Sequence, residues 1–277
     1  MKEVIAIDLG GTHLRFAYVK NGKIYGYLKK ETPKKKSDIL KELVNGIKDR
    51  MNKNIKGIGI ACAGVIENGI VKSSPNLPLK NTNLKKFLQN KFKKNVEIEN
   101  DANCVAIEEA KLGVKKKNFF ILTLGTGIGG GIIINGELYK GKKNAGELGH
   151  IIINQGKDFE YFAGTNGIKR LIKKHYKVKL ISGDSIKKTL YENTSKSSRI
   201  RDEIADYIGQ GIASLTQVLD PEVIVLGGGL RKLGKPFLNK IKQKAKKHSS
   251  SLMLKVPEIK WCSLEHPGLI GASLLVK

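Results

Sequence analysis

The chain has 277 residues and a mass of 30.5 kDa, and apolar residues make up 40% of it, which is enough to bury a core and excludes a disordered chain. Its longest apolar stretch, residues 119–134, contains five glycines and is too short for a membrane span. The 51 basic residues outnumber the 25 acidic ones by 26, but they are spread along the chain and few are Arg, so we expect attraction of small anionic ligands rather than specific binding of nucleic acid.

The N-terminus and the cysteines indicate the cellular compartment. Met-Lys-Glu is followed directly by a strand-like run, without the basic and apolar regions of a signal peptide. Cys62, Cys104 and Cys262 lie far apart and form neither a C-x-C nor a C-x-x-C pair. We therefore expect a cytoplasmic protein without disulfides.

The first half begins with two strands around a glycine turn. The apolar run 4–8 predicts a buried strand that ends at Leu9-Gly10-Gly11-Thr12, and alternating apolar residues at 14, 16 and 18 predict the return strand. Asn21-Gly22 then predicts a tight hairpin. The elements predicted after it are a helix over 37–51, a strand over 58–63, a helix over 84–92, a strand over 96–99 and a helix over 101–112.

The second half repeats this plan. A strand over 119–124 leads into a glycine-rich loop over 125–131, a strand over 132–134 and a second hairpin signal, Asn135-Gly136. The elements predicted after it are helices over 167–175, 184–191 and 199–219, a strand over 223–226 that ends in three glycines, a basic helix from 230, a strand over 256–261 and a helix from 268. The alternation predicts an α/β fold of two related halves that face one another.

Three glycine turns are candidates for binding an anion. Gly10-Gly11-Thr12 frees backbone amides to approach a phosphate, and Asp8, at the strand end before it, can hold a hydrated Mg²⁺. Five glycines within 125–131 would weaken a plain strand, so we interpret them as a close approach of the backbone to a ligand. Each turn alone is compatible with an ordinary hairpin or strand–helix junction, but together with Gly227-Gly228-Gly229 they predict a nucleotide between the two halves.

Two further segments carry ionisable side chains. Asp101 lies where a strand gives way to a helix, where a carboxylate either caps the helix or accepts the proton of a hydroxyl that attacks a phosphoryl group. Glu147 and His150 are three residues apart, and each directly follows a glycine, an arrangement suited to clamping neighbouring sugar hydroxyls, although a His beside an apolar run is commonly structural.

The order of four motifs resembles the ROK family of sugar kinases and related repressors. The motifs are Asp8-Leu-Gly-Gly-Thr12, Glu99-Asn-Asp-Ala-Asn103, Leu124-Gly-Thr-Gly-Ile-Gly-Gly-Gly131 and Glu147-Leu-Gly-His150. The resemblance runs from residue 3 to the segment 268–272 and implies a two-domain, actin-like (ribonuclease H-like) ATPase fold with an interdomain cleft. The family's repressors carry a winged helix-turn-helix before the first motif, which here starts at residue 8, so we expect no such module.

The resemblance implies roles for individual residues. Asp101 would be the catalytic base, and Asp8 would hold Mg²⁺ through water. Residues implied in sugar binding are Gly64, Asn76, Asn100, Asp101, Glu147, His150 and Glu160. Residues implied in ATP binding are Asp8, Gly10, Gly11, Thr12, Gly125, Thr126 and Gly127 around the phosphates and Gly227 and Gly228 near the adenosine.

One segment departs from the family pattern. In many members the counterpart of His150 shares a structural zinc with three cysteines of a C-x-C-G-x-x-G-C loop. This chain has Asn154-Gln-Gly-Lys-Asp158 instead and no cysteine between 104 and 262. We therefore expect no zinc, with ATP and Mg²⁺ as the cofactors.

The combined expectation is an ATP-dependent hexose kinase, glucokinase in particular, that transfers the γ-phosphoryl group to the sugar 6-hydroxyl. The alternatives are a sugar-sensing or regulatory protein with little catalysis and a kinase for an N-acetylhexosamine or another hexose. We expect a small domain, 1–112 with 265–277, and a large domain, 113–264. We also expect a homo-oligomer, a dimer, in which the helix 199–219 packs internally or between subunits.

Overall fold

The computed structural model describes residues 3–178, 181–249 and 256–276, and the contacts within the chain divide it into two compact units. Unit 1 comprises Met1–Lys115, Lys140–Asn144 and Ser263–Lys277, and unit 2 comprises Lys116–Tyr139 and Ala145–Cys262. Both units combine helices with mixed sheets, so the predicted α/β fold class is confirmed. None of the described helices has the length and apolarity that crossing a membrane requires.

Unit 1 is built on a five-stranded sheet. Its elements are β1 (Glu3–Leu9), β2 (His13–Lys20), β3 (Lys23–Glu31), α1 (Lys36–Lys48), β4 (Ile55–Cys62), β5 (Val65–Glu67), β6 (Ile70–Ser73), β7 (Thr82–Asn83), α2 (Leu84–Phe92), β8 (Asn95–Asn100), α3 (Asp101–Lys111) and, after unit 2, α9 (Pro267–Leu274). The main sheet has the order β3-β2-β1-β4-β8, with β1–β3 antiparallel and β4 and β8 parallel to β1.

The two faces of this sheet are covered differently. Ile5, Ile7 and Leu9 alternate along β1 onto one face, where they pack with the buried side chains of α1 and α2. Ala6 and its neighbours on the opposite face are small, which lets α3 and α9 approach closely. A Cβ added to Gly59 of β4 would overlap the Ala272 carbonyl of α9, so this glycine is required by the packing.

Unit 2 contains a second five-stranded sheet, and the longest of its described helices has 25 residues. Its elements are β9 (Phe119–Leu124), β10 (Ile128–Ile134), β11 (Glu137–Leu138), β12 (Ile152–Asn154), β13 (Lys157–Asp158), α4 (Phe159–Ala163), α5 (Thr165–Tyr176), α6 (Gly183–Tyr191), α7 (Ser195–Leu219), β14 (Val223–Gly228), α8 (Gly234–His248) and β15 (Glu258–Trp261), with 3₁₀ turns at Leu148–His150 and Gly229–Leu233. Apolar side chains of the sheet pack with α4, α5, α7 and α8 in one core.

The two sheets have the same topology, as the repeated plan in the sequence predicts. The order in unit 2 is β11-β10-β9-β14-β15, again three antiparallel strands followed by two parallel ones. Both hairpins turn on an Asn-Gly pair with positive φ angles, 50° and 72° at Asn21-Gly22 and 53° and 82° at Asn135-Gly136. These angles belong to the tight turn that Asn-Gly favours.

Several element boundaries differ from the prediction. The helix predicted over 37–51 ends at Lys48, and the strand predicted from 256 begins at Glu258. The long helix begins at Ser195 rather than 199, because the side chain of Thr194 caps it by accepting a hydrogen bond from Ser197 N. The helix predicted from 230 begins at Gly234, and Pro236, which has no N–H to donate, lies in its first turn.

Candidate functional site

The first glycine turn connects β1 to β2 and is closed by its own backbone. Gly10 N donates to His13 O at 3.0 Å. Thr32, the residue after β3, also holds the turn. Its Oγ1 donates to Gly10 O at 2.6 Å and its N donates to Thr12 O at 3.0 Å. Thr12 is exposed. The turn therefore presents a hydroxyl and backbone amides to solvent on a fixed frame.

Gly11 brings a predicted sugar residue next to this turn. A Cβ added to Gly11 would overlap Cβ of Asn76 and come within 3.1 Å of the Asn76 carbonyl oxygen. The loop that carries Asn76 thus reaches the turn only because residue 11 has no side chain. This places Asn76, predicted to bind sugar, against Gly11, predicted to bind phosphate.

Asp8 lies at the end of β1 and pairs with an arginine of the neighbouring strand. Its Oδ2 accepts from Arg15 Nη1 at 2.7 Å. Burial raises the pKa of Asp8 above its usual value, while Arg15 acts in the opposite direction. Among the described residues Arg15 is the hydrogen-bond partner of this carboxylate and uses Oδ2, so Oδ1 would accept from a water, as the outer contact to hydrated Mg²⁺ that the sequence predicts requires.

The junction of β8 and α3 carries the predicted base. Asn100, not Asp101, is the N-cap: its Oδ1 accepts from the backbone N of Ala102 at 2.9 Å and of Asn103 at 3.1 Å. Its Nδ2 donates to Gly64 O at 3.0 Å, which links the two predicted substrate loops. Asp101 is the first residue of the helix and is half-buried, with Oδ1 2.9 Å from Ala102 N. The capping role that an Asp often has here is therefore filled by its neighbour.

Glu99 and Lys140 support this junction, and neither is among the predicted site residues. Glu99 Oε1 accepts from Asn100 N at 2.9 Å and from Asn103 Nδ2 at 3.1 Å, and its Oε2 accepts from Lys140 Nζ at 2.8 Å. Glu99 is buried. Glu99 opens the motif over 99–103, so its position could have marked it as a candidate. No local pattern, however, links it to a lysine 41 residues away.

The second glycine turn, Gly125 to Gly127, connects β9 to β10. Gly125 N donates to Gly127 O at 3.0 Å, as Gly10 does across the first turn. Thr165, at the start of α5, anchors it by donating Oγ1 to Gly125 O and N to Thr126 O, both at 3.0 Å. A Cβ added to Gly125 would meet no atom within 4 Å, so the protein leaves open space beside this backbone.

The predicted loop over 125–131 is too long. Residues 129–131 belong to β10 and pair with β9, so the strand starts at Ile128 rather than at 132. A Cβ on Gly130 would overlap side-chain atoms of Leu148 and come within 2.5 Å of the Gly146 carbonyl oxygen. This glycine therefore serves packing against the segment 146–148, not a ligand.

Glu160 lies in α4 and is joined to the second glycine turn. Its Oε2 accepts from Ile128 N at 2.8 Å and occupies the place that a Cβ on Gly127 would take. The predicted sugar ligand Glu160 and the predicted phosphate turn are thus in direct contact within unit 2.

Glu147 directly precedes the 3₁₀ turn Leu148–His150, of which His150 is the last residue, and both side chains are exposed. Nδ1 of His150 lies 3.1 Å from Oδ2 of Asp158. This contact is the largest of the effects that raise the pKa of His150 above its usual value, and burial opposes it. Asp158 is not among the predicted site residues, although an Asp directly before a short helix is a recognisable N-cap signal.

The residues around His150 do not fit a structural zinc. Such a site takes four ligands in a tetrahedron, mostly Cys and His. The segment from His150 to Asp158 has no cysteine, and the Nδ1 atom is already paired with Asp158.

Gly227 and Gly228 end β14. Gly228 has a φ of 86°, and a Cβ on it would overlap the backbone of Leu124, so the position requires glycine. At Gly227 the nearest atoms to an added Cβ are 3.9 Å away. This strand end leaves space at one glycine and is tightly packed at the other.

The comparisons with known proteins agree with the motifs. The model of the ROK family matches residues 4–277. The chain is 31% identical to a glucokinase of Halalkalibacterium halodurans over 99% of this chain and 94% of that protein. A ROK family glucokinase from Streptomyces griseus, solved in complex with glucose and AMPPNP, is 25% identical with a TM-score of 0.86 over 99% of both chains. A putative N-acetylmannosamine kinase from Listeria monocytogenes is 27% identical with a TM-score of 0.85 over 99% of this chain and 98% of that one.

Proposed function

We propose that the chain, which belongs to the ROK family, is an ATP-dependent hexose kinase that phosphorylates the 6-hydroxyl of glucose. The observation that carries the proposal is that Asn100, rather than Asp101, caps the start of α3. Asn100 caps the helix and holds the Gly64 loop, so the Asp101 carboxylate beside it is not needed as the cap. A carboxylate held at a strand–helix junction is suited to act as a general base.

In the proposed reaction, Asp101 accepts the proton of the sugar 6-hydroxyl as the hydroxyl oxygen attacks the γ-phosphorus and the bond to ADP breaks. Phosphoryl transfer of this kind depends mainly on alignment and on neutralisation of charge on the phosphates. Mg²⁺, held through water at Asp8, would supply that neutralisation, and Arg15 keeps the Asp8 carboxylate in place.

We assign the ATP phosphates to the two glycine turns and the adenosine to the end of β14. In the first turn, the amides of Gly11 and Thr12 and the Thr12 hydroxyl would face the phosphates, while the Gly10 N–H closes the turn on His13 O and Thr32 fixes it. In the second turn, the amides of Thr126 and Gly127 would play the same part, the Gly125 N–H closes the turn on Gly127 O, and the open space beside Gly125 would receive a phosphate. Gly227 and Gly228 would lie near the adenosine.

We assign the sugar to polar side chains that keep capacity for further hydrogen bonds. Asn100 uses one hydrogen of its Nδ2 for Gly64, which leaves the other for a sugar hydroxyl. The Oε2 atom of Glu160 accepts from Ile128 N, so Oε1 is the oxygen that would accept from a sugar hydroxyl. Asn76, Glu147 and His150 would complete the set.

We propose that the small domain is 1–112 with 265–277 and the large domain is 113–264, and that the protein is a cytoplasmic homodimer. Zinc has no part in the proposal.

A second candidate is a kinase for an N-acetylhexosamine, favoured by the similarity to the putative N-acetylmannosamine kinase of Listeria monocytogenes. The two candidates differ in the group at the sugar C2 atom. A coupled assay of ADP release with Mg-ATP and glucose, mannose, fructose, N-acetylglucosamine or N-acetylmannosamine separates them by kcat/KM.

The proposal predicts the highest kcat/KM for glucose. Preference for an N-acetylated sugar would establish the second candidate. Absence of turnover with every sugar, together with thermal stabilisation by one of them, would contradict both and favour a sugar-sensing protein.

A further inference from the structure

Asp158 makes two contacts with one carboxylate. It is the N-cap of α4, where Oδ1 accepts from Tyr161 N at 2.7 Å. Its other oxygen, Oδ2, lies 3.1 Å from Nδ1 of His150. The carboxylate therefore ties the imidazole ring to the first turn of the helix that carries Glu160.

The helix α4 is itself well fixed. Phe159 is fully buried, and its N donates to Ile151 O at 2.9 Å. Glu160 bonds to Ile128 N at 2.8 Å, and Gly164 N ends the helix on Glu160 O at 2.9 Å. A side chain that is hydrogen-bonded to the first turn of α4 is therefore held in a fixed orientation, because the core of unit 2 fixes the helix.

His150, by contrast, has little packing to orient it. Its side chain is 59% exposed. Within the described ranges, Asp158 is the side chain with which its ring forms a hydrogen bond. Loss of the Asp158 carboxylate would leave the imidazole free to change rotamer.

The contact also fixes which ring nitrogen faces a ligand. A carboxylate only accepts hydrogen bonds, so Nδ1 carries the proton that is shared with Asp158. In the neutral ring Nε2 is then the acceptor, which suits a sugar hydroxyl.

The local chain path explains why the carboxylate arrives there. β12 and β13 are joined by a tight turn in which Gln155 and Gly156 have φ angles of 44° and 68°. Ile152 pairs with Asp158 across the hairpin. This short connection brings Asp158 beside His150 without any cysteine-bearing loop.

We propose that Asp158 is a positioning residue of the sugar site and that its contact with His150 replaces the structural zinc that the cysteine loop holds in many members of the ROK family. The inference rests on the proposed function, because it assigns His150 and Glu160 to the sugar. The contact itself, however, can be measured without any sugar.

The charges around the ring set its pH dependence. Asp158 in β13, Glu160 in α4 and Glu147 before the 3₁₀ turn all raise the pKa of His150, with the hydrogen bond to Asp158 the largest effect, and burial lowers it. The protonated ring is favoured by the fold, so this stabilisation is complete at low pH and is lost as the pH rises through the pKa of His150. Protonated Nε2 cannot accept a hydrogen bond, so sugar KM should rise as the pH falls through the same range.

The test uses Asp158→Ser and Asp158→Asn. Serine is a good N-cap, so Asp158→Ser keeps the start of α4, but its short side chain does not reach His150. Asparagine has nearly the shape of Asp but can donate to Nδ1, which would reverse the tautomer. NMR titration of His150, assigned with His150→Gln in the absence of ligands, reports the contact. Hexose KM and kcat across pH report the positioning.

We expect unchanged melting temperatures, a lower His150 pKa in Asp158→Ser, and a hexose KM raised about 10-fold in both variants with a smaller change in kcat. The midpoint of the KM profile should move to lower pH in Asp158→Ser by the shift that NMR measures. Elemental analysis should find no stoichiometric zinc, and a chelator with Mg²⁺ in excess should leave activity unchanged.

Three results would overturn the proposal. They are an unchanged His150 pKa in Asp158→Ser, an unchanged hexose KM in both variants, and a bound zinc whose removal abolishes activity. If the unmodified protein phosphorylates no hexose, the proposed function fails. Hexose affinity from thermal shifts then replaces KM, and equal affinity in the variants would overturn the inference.

Discussion

The side-chain nitrogen of Asn100 lies 3.0 Å from the carbonyl oxygen of Gly64 and donates a hydrogen bond to it, while the side-chain oxygen of the same residue caps α3. Asn100 therefore holds three things in register: the end of β8, the start of the helix that presents Asp101, and the loop at Gly64, whose φ is 123°. A change at Asn100 should disturb both the fold and the chemistry.

We expect Asn100→Ala to lower the free energy of unfolding by about 1–2 kcal/mol, because the cap of α3 is lost. It should also lower hexose kcat/KM, because Asp101 and the Gly64 loop lose their common support. Urea unfolding and steady-state kinetics measure the two effects.

Asn83→Ala is the matched control, because Asn83 caps α2 by accepting from Lys86 N at 3.0 Å and has no place in the proposed site. It should cost a similar free energy of unfolding and leave kcat/KM unchanged. Equal kinetic losses in the two variants would mean that Asn100 acts through stability alone.

The open space beside Gly125 predicts a separation of stability from ATP binding. Gly125→Ala adds a Cβ that meets no protein atom within 4 Å, and the backbone there is outside the left-handed region. The free energy of unfolding should stay the same or rise by up to about 1 kcal/mol. The new methyl group would occupy space assigned to a phosphate, so the KM for ATP should rise roughly tenfold.

Gly183→Ala is a suitable control for this change. Gly183 is the first residue of α6, and a Cβ on it also meets nothing within 4 Å. Its KM for ATP should equal that of the unmodified protein. A Gly125→Ala variant with unchanged KM for ATP would remove Gly125 from the proposed phosphate site.

Glu108 predicts a pH dependence of stability. It is fully buried, neither carboxylate oxygen has a hydrogen-bond partner in the described part of the chain, and burial, with a smaller contribution from Glu109, raises its pKa from 4.5 to about 8. Between these values the folded protein binds more protons than the unfolded chain, so stability falls as the pH rises through this window.

Glu108→Gln removes the titrating group and should flatten that fall. Urea unfolding at about pH 6 and about pH 9 should show a smaller difference for the variant than for the unmodified protein. The exposed Glu265→Gln serves as control and should keep the original difference. An equally steep fall in Glu108→Gln would show that another group causes it.

The local geometry of the chain was easier to predict from the sequence than the contacts between distant residues. The Asn21-Gly22 and Asn135-Gly136 turns and the repeated strand plan were predictable, because turn type and strand alternation are encoded within a few residues. The glycines were misjudged for a physical reason. Gly125 borders open space, whereas Gly130 packs against the segment 146–148. In the sequence both are glycines of one glycine-rich run, so their different surroundings could not be predicted.

In the candidate site, too, the contacts between distant residues could not be predicted from the sequence. The motifs drew attention to Asp101 and His150, but the side chains bonded around them come from elsewhere in the chain. Lys140 reaches Glu99 across 41 residues, and Asp158 reaches His150 across a hairpin. Such pairs depend on the folded path of the chain, which no local pattern specifies.

The most direct test of the account compares Asp101→Asn with the unmodified protein for turnover and for sugar binding. We expect kcat with Mg-ATP and the best hexose to fall at least about a hundredfold, because the base that accepts the hydroxyl proton is gone. The affinity for the hexose, measured by calorimetry without ATP, should change little, because Asn keeps the shape of the side chain. Turnover that is unchanged in Asp101→Asn would contradict the catalytic assignment.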